Sequence, residues 1–128
     1  MAAPAVQVQI FGRYDSAATR AAVRFFKERR VEAHVVDLTR RAMAPGELRR
    51  FVERLGAAAL ADADGRAWRD AGLGYLQMDG DELAARMLAD QRLLRLPLVR
   101  AGNLFAAGTD EAAWQRIAAV AAAQPTRR

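Results

Sequence analysis

Two hydroxyl side chains, Ser16 and Thr19, stand in the spacing S-x-x-T between Arg13 and Arg20, and this is the stretch whose residue types could do chemistry. It follows a strand-like run, Val6 to Phe11, and opens a helix-like one. A helix start presents free backbone N–H groups and the positive end of the helix dipole. Ser16-Ala17-Ala18 is therefore a candidate anion site, flanked by Arg13 and Arg20, with Arg95 expected to approach from the loop that holds Leu96-Pro97. The hydroxyls are poor nucleophiles. A helix N-terminus contributes on the order of 1 kcal/mol, about one pKa unit, which helps a thiolate but makes no alkoxide near neutral pH. No general base is near in sequence. His34, the single histidine, falls in the second strand-like run, where a lone histidine is more often structural. Two readings stay open at this point: Ser16 caps the helix and the arginines are solvated, or the same groups form an anion pocket.

Composition narrows the chemistry further. The chain has no cysteine, which excludes disulfides, thiolate metal sites and thiol chemistry of its own. With one histidine, no metal site is expected. A length of 128 residues with 52% hydrophobic content suits a single domain, 1–128, with a real core. No apolar run approaches the roughly 18 residues that a membrane span needs. Met1 to Ala5 has no basic n-region and no apolar h-region follows, so no signal peptide is expected and a cytoplasmic location is. The net charge is +5, and Lys27 is the one lysine among the 20 basic residues. Arginine forks suit phosphate and carboxylate, but these are scattered among acids, as a compositional habit would leave them. No basic stripe interleaved with aromatics points to nucleic acid, and no direct nucleic-acid binding is expected.

The elements that must position these residues follow from periodicity. Val6, Val8 and Ile10 alternate with Gln7 and Gln9, which predicts a strand. Gly12 and Arg13-Tyr14 are expected to turn, with Asp15 or Ser16 as N-cap. The first helix is predicted to about Arg30, with Ala18, Ala22, Phe25 and Phe26 as its apolar stripe. Val31 to Leu38 is predicted as a second strand with Val35 and Val36 buried, giving a parallel β-α-β unit. Pro45 suits the first turn of a helix whose face is Leu48, Phe51, Val52 and Leu55, with Gly56 as its stop. Short helices are expected from Ala57 to Leu76, broken at Asp64-Gly65 and Ala71-Gly72-Leu73-Gly74. Asp79 and Glu82 form a D-x-x-E start close to a capping box, ahead of Leu83, Met87 and Leu88. After Pro97 a hairpin is expected about Ala101-Gly102-Asn103. Thr109 is expected to cap a last helix carrying Trp114, Ile117 and Val120, and Gln124 to Arg128 reads as a tail. The fold class is thus α/β: a thioredoxin-like, mixed four-stranded sheet in the order β-α-β, helical insertion (about 44–94), β-β-α, with helices on both faces.

From Val6 to about Val120 the chain resembles the arsenate reductase (ArsC), Spx and YffB family. The resemblance rests on Ile10-Phe11-Gly12-Arg13-Tyr14-Asp15-Ser16-Ala17-Ala18-Thr19-Arg20, which is similar to the family's strand, active-site turn and trailing arginine. Asp79-Gly80-Asp81-Glu82-Leu83 with Met87-Leu88 resembles its last helix before the proline loop. Leu93-Leu94-Arg95-Leu96-Pro97-Leu98-Val99, followed by Gly108, resembles its R-P-[IV]-[IV] strand and the glycine before its final helix. The resemblance implies a cis Leu96-Pro97 bond facing the helix start, in a loop able to pair with an extended peptide such as glutathione. It also implies that Ser16 occupies the position of the nucleophilic cysteine and Thr19 the second position of the C-x-x-[CS] pair. Leu96 stands where the family has an arginine before proline, and a further family arginine falls near Asp64, with Arg66 one small register shift away.

Arsenate reduction in the family is implied to pass through a sulfur–arsenic adduct resolved by a glutathione thiol, a step Ser16 cannot perform. The expectation is a cysteine-free relative, without reductase activity, that acts as a binding or regulatory protein toward a protein partner, as Spx is implied to do with RNA polymerase. Its anion or glutathione site would comprise Arg13, Ser16, Ala17, Ala18, Thr19, Arg20, Arg95, Leu96 and Pro97. The alternative is a glutathione-dependent enzyme in which an external thiol supplies the sulfur. No cofactor is expected beyond glutathione as ligand or co-substrate. A laboratory replacement of cysteine by serine would explain Ser16 alone, but not Thr19 and Leu96.

Overall fold

The first strand is apolar on both sides, and the architecture follows from covering both. In the computed structural model, which describes residues 6–122, β1 (Val8–Gly12) sends Val8 and Ile10 to one face of a sheet and Phe11 to the other. A strand buried on both faces needs helices on both. Between β1 and β2 (Ala33–Asp37) lies α1 (Ala17–Glu28). Between β2 and β3 (Leu98–Ala101) lie α2 (Pro45–Leu55), α3 (Ala57–Leu60), α4 (Arg66–Asp70) and α5 (Gly80–Ala89), and α6 (Glu111–Ala122) follows β4 (Leu104–Ala107).

The sheet runs in the order β2-β1-β3-β4. β1 is parallel to β2, with Gly12 opposite Asp37 and Gln9 opposite His34. It is antiparallel to β3, with Phe11 opposite Leu98. β3 and β4 form an antiparallel hairpin whose turn uses Gly102 at φ +58°. This is the thioredoxin-like mixed sheet that the pattern predicts. On one face Val8, Ile10, Val99 and Ala106 meet Phe25 and Phe26 of α1 and Trp114 and Ile117 of α6. On the other, Phe11, Val36 and Leu98 meet Leu48 and Phe51 of α2, Leu60 of α3 and Met87 of α5. Phe51 packs edge-on to Phe11 at 5.8 Å and to Phe105 at 4.9 Å, tying α2 to two strands. Each such pair contributes roughly 0.5–1.5 kcal/mol beyond the area it buries.

Several boundaries differ from expectation, each for a local reason. β1 starts at Val8, not Val6, and Gly12 ends it as a paired residue instead of opening the turn. Val35 is only half-buried, because β2 lies at the sheet edge with a neighbour on one side. On α1 the buried stripe is Thr19, Ala22, Phe25 and Phe26, so Thr19 takes the place expected of Ala18. Asp110, not Thr109, caps α6, its Oδ1 accepting from Ala113 N at 3.1 Å. On α6 the inward face is Ala113, Trp114, Ile117 and Ala118, whose spacing turns Val120 to solvent. The expected capping box at Asp79 is half formed: Asp79 Oδ1 accepts from Glu82 N at 2.8 Å. The tail Gln124 to Arg128 lies outside the described residues.

Helix α1 stops at Glu28, two residues short of the expected Arg30, because the chain there turns left-handed. Arg30 sits at φ +57°. Its N–H donates to Lys27 O at 3.0 Å, and Val31 N donates to Phe26 O at 3.0 Å. These are the two bonds of a Schellman end, which glycine occupies without Cβ strain. Arg30→Gly is therefore expected to raise stability by about 0.5–1 kcal/mol, read as a higher denaturation midpoint with an unchanged m-value.

Candidate functional site

Gly12 brings β1 so close to α1 that no side chain fits between them. A Cβ there would lie 2.5 Å from Thr19 Oγ1 and 2.6 Å from Thr19 Cγ2. Thr19 is fully buried, and its Oγ1 accepts from Arg13 N at 3.3 Å. The second hydroxyl of S-x-x-T is thus an internal peg that satisfies a backbone donor of the turn. It is not presented to a ligand.

Ser16 faces outward from the same turn. Its N–H donates to Arg13 O at 2.9 Å, closing the turn. Its Oγ accepts from Thr19 N at 3.1 Å, and its carbonyl accepts from Arg20 N at 3.1 Å. Ser16, not Asp15, is therefore the N-cap, a role in which serine contributes about 1 kcal/mol relative to alanine. The N–H groups of exposed Ala17 and half-buried Ala18 have no acceptor among the described residues. They remain free to meet an anion at the positive end of α1.

The arginines around this start are already engaged. Arg13 donates both arms of its fork to Asp15, Nε to Oδ1 at 3.1 Å and Nη2 to Oδ2 at 2.9 Å. That bond holds the Asp15 carboxyl below the usual carboxylate range, with the charge of Arg20 adding to it. Arg20 Nη1 donates to Tyr14 O at 2.6 Å, which ties the residue after the helix start back across the turn. Two groups that sequence reasoning missed also act on Arg13 through their charge, Asp37 at the end of β2 and Arg92 before the proline loop. Arg92 forks onto Asp90 at 2.9 and 2.8 Å. Asp37 accepts from the Thr39 hydroxyl at 2.7 Å, which lowers its pKa most. The D-x-R spacing of Asp90 and Arg92 was a readable sign of a local pair; its proximity to Arg13 was not.

The remaining expected residues are placed as follows. The Leu96-Pro97 bond is cis, with Pro97 buried and Leu96 half-buried against the core. Arg95 makes no hydrogen bond to Arg13, Ser16 or Arg20. Its stem lies over Gly108, where a Cβ would meet Arg95 Cδ at 2.5 Å, and its Nη2 donates to Ala61 O at 3.4 Å. Arg66 is exposed at the start of α4, and Asp64 O accepts from Arg69 Nη1 at 2.7 Å. His34 is exposed on β2, three register pairs from Gly12. That is about 10 Å along the strand, too far to serve Ser16 as a base. Among the described residues no group of three or more His, Asp or Glu side chains converges to hold a metal.

A protein-family model described as the ArsC family matches residues 12–117. No curated protein matches the sequence. Among solved structures, the fold is similar to an arsenate reductase from Vibrio cholerae, with TM-score 0.76, 20% identity, and coverage of 89% of this chain and 99% of that one. An ArsC family related protein from Bacteroides fragilis gives TM-score 0.80 at 15% identity, covering 89% and 99%. An arsenate reductase (ArsC) related protein from Brucella melitensis gives 0.66 at 16%, covering 89% and 96%. At these identities the likeness speaks to the fold.

The close approach at Gly12 is testable by a double-mutant cycle. Gly12→Ala is expected to cost about 1–3 kcal/mol through overpacking against Thr19. Thr19→Ala alone leaves Arg13 N without its acceptor and costs about 1–3 kcal/mol. The double variant should be more stable than the sum of the two losses, by about 0.5 kcal/mol or more, in equilibrium denaturation.

Proposed function

The chain belongs to the ArsC family, and from that premise we propose that it is a binding or regulatory protein of the family that does not reduce arsenate. The observation that carries this reading is the state of Ser16. Its oxygen accepts the helix-capping hydrogen bond, and no thiol exists anywhere in the chain to replace it. Reduction through a sulfur–arsenic adduct needs a polarisable, easily ionised sulfur that can afterwards leave as part of a disulfide. A serine hydroxyl ionises several pKa units too high and forms no disulfide. No carboxylate or imidazole lies within hydrogen-bond reach of Ser16 Oγ among the described residues to act as its base.

What the helix start can do is bind. The free N–H groups of Ala17 and Ala18 and the dipole of α1 favour a small anion or a glutathione carboxylate there. Asp15 opposes this, because its carboxylate occupies the fork of Arg13 and places a negative charge beside the site. The ligand that fits is a modest one, held by backbone donors and released easily. A reversible anion or peptide contact of that kind suits a partner-binding scaffold better than a reaction centre.

Assayed with arsenate, glutathione and glutaredoxin, the protein is expected to turn over no faster than the protein-free control. Turnover that Ser16→Ala abolishes would sink the non-enzymatic reading. Activity appearing in Ser16→Cys would instead mean that the remaining groups still hold an oxyanion and only the thiol is missing.

Sulfate titration followed by amide shifts tests the anion site. The shifts are expected at Ser16, Ala17 and Ala18, and none there leaves only the capping role. Since the folded Asp15 pKa lies below its ordinary value, its negative charge persists into mild acid. Affinity for sulfate should therefore rise only as pH falls through that lowered pKa, when Asp15 protonates and releases Arg13. Asp37, which also faces Arg13, adds to the rise. Asp15→Asn should bind sulfate about two- to fivefold more tightly at neutral pH, the range of a single exposed charge contact.

A further inference from the structure

At the far end of the sheet, three arginines converge without an ion-pair partner among the described residues. Arg50 and Arg54 lie one turn apart on α2, a like-charge spacing that is unfavourable on a helix. Arg100 rises from β3 beside its cross-strand neighbour Phe105. The guanidinium carbons of Arg54 and Arg100 lie 5.8 and 5.2 Å from the centre of the half-buried Phe105 ring. Arg54 Nη2 donates to Asn103 O at 2.7 Å and Arg100 Nη2 to Gly102 O at 3.3 Å, both carbonyls of the hairpin turn. Burial first, and the charge of Arg50 second, press on the Arg100 cation and lower its pKa. The neighbouring acid Glu47 is already held by the fork of Arg41, at 2.9 and 3.0 Å.

These residues line an open groove of about 730 Å³ between α2 and the hairpin. A second hollow of about 330 Å³ shares Arg54, Asn103 and Phe105 and continues past Leu104. It follows β4, at the edge of the sheet, whose outer side has no paired strand among the described residues. Such an edge offers backbone donors and acceptors that only another extended chain can use.

We infer that this groove receives an extended acidic segment of a protein partner, which adds to the free edge of β4 and sets carboxylates against Arg50, Arg54 and Arg100. In an extended chain alternate side chains share a face, about 6.5–7 Å apart, so acids at every second position meet the arginine wall while the backbone pairs with β4. A nucleic acid fits less well, because a phosphate backbone carries no peptide N–H and C=O groups to pair with the edge of β4. A free polyanion would use the arginines and leave the strand edge idle. None of these residues belongs to the start of α1, so this surface stands or falls independently of the anion site there.

The test uses the full chain, isotopically labelled, and three short synthetic peptides. One alternates Glu with Thr, the second carries Gln for each Glu, and the third keeps the acids but replaces the intervening threonines by proline. The Glu peptide is expected to shift the amides of Leu104–Ala107 and the side-chain signals of Arg50, Arg54 and Arg100. The Gln peptide should bind about tenfold or more weakly, since each lost pair is a charge-assisted bond. The proline peptide should lose the β4 shifts. Arg50→Ala with Arg54→Ala, both at exposed positions, should weaken the Glu peptide by about tenfold while leaving the thermal midpoint within a few degrees. Arg50→Lys with Arg54→Lys should restore part of the affinity, keeping charge without the fork. Equal binding of the Gln peptide, shifts confined to residues 16–20, or no binding of the Glu peptide would each overturn the proposal. So would pyrophosphate or a uridine oligonucleotide binding the same arginines as tightly as the peptide; these point to a free polyanion or a nucleic acid respectively.

Discussion

The space between Gly12 and Thr19 governs how this molecule joins its sheet to its first helix. β1 ends at Gly12, paired to Asp37, and α1 lies against that end with a threonine where no neighbouring Cβ can fit. With Thr19 pinned inside and bonded to Arg13 N, the turn between them has little freedom left. Ser16 is driven outward into the capping position, Ala17 and Ala18 point their N–H groups away from the core, and Ala22, Phe25 and Phe26 fall onto the sheet. Packing at one point thus sets the cap, the open helix end and the apolar face of α1 together.

Electrostatics then decide what that helix end can hold. A positive helix terminus flanked by arginines reads as a strong anion site, yet Arg13 is forked onto Asp15, Arg92 onto Asp90, and Arg20 reaches back to a backbone carbonyl. Each guanidinium already spends one or two of its five donors locally, so an incoming anion competes with the carboxylates of Asp15 and Asp90 and with the Tyr14 carbonyl. The groove beside β4 is the reverse case. There the helix dipole plays no part, but Arg54 and Arg100 flank Phe105, Arg50 lines the same groove, and none of the three has a carboxylate partner among the described residues. The more demanding cationic surface is therefore the one remote from Ser16.

The fold was largely legible because it is written in short periods. Alternation in Val8, Gln9 and Ile10, the proline at the start of α2, Gly56 at φ +82° at its end and Asp79 before α5 are local signals with local causes. Misreadings fell where a distant neighbour overrides the local one. Ala18 is a better apolar residue than Thr19, but Thr19 is the one that meets Gly12. Val120 is more apolar than Ala121, but the faces of Trp114 and Ile117 set the rotation of α6. Arg30 continues a helical run by composition, yet the chain leaves the helix there through a left-handed residue.

For the site, the sequence by itself determined the absence of a thiol, the placing of Ser16 at a helix start and the cis-proline loop that its family resemblance implied. These depend on residue identity and on contacts within a few positions along the chain. Only the tertiary structure decided that Thr19 is buried, that Arg13 is clamped while Arg95 turns toward Ala61 and Gly108, and that Arg50 and Arg54 of α2 share a groove with Arg100, Phe105 and the hairpin turn. The physical reason is that side-chain direction and charge pairing between elements are fixed by packing across the sheet, which brings together residues that no spacing along the chain connects.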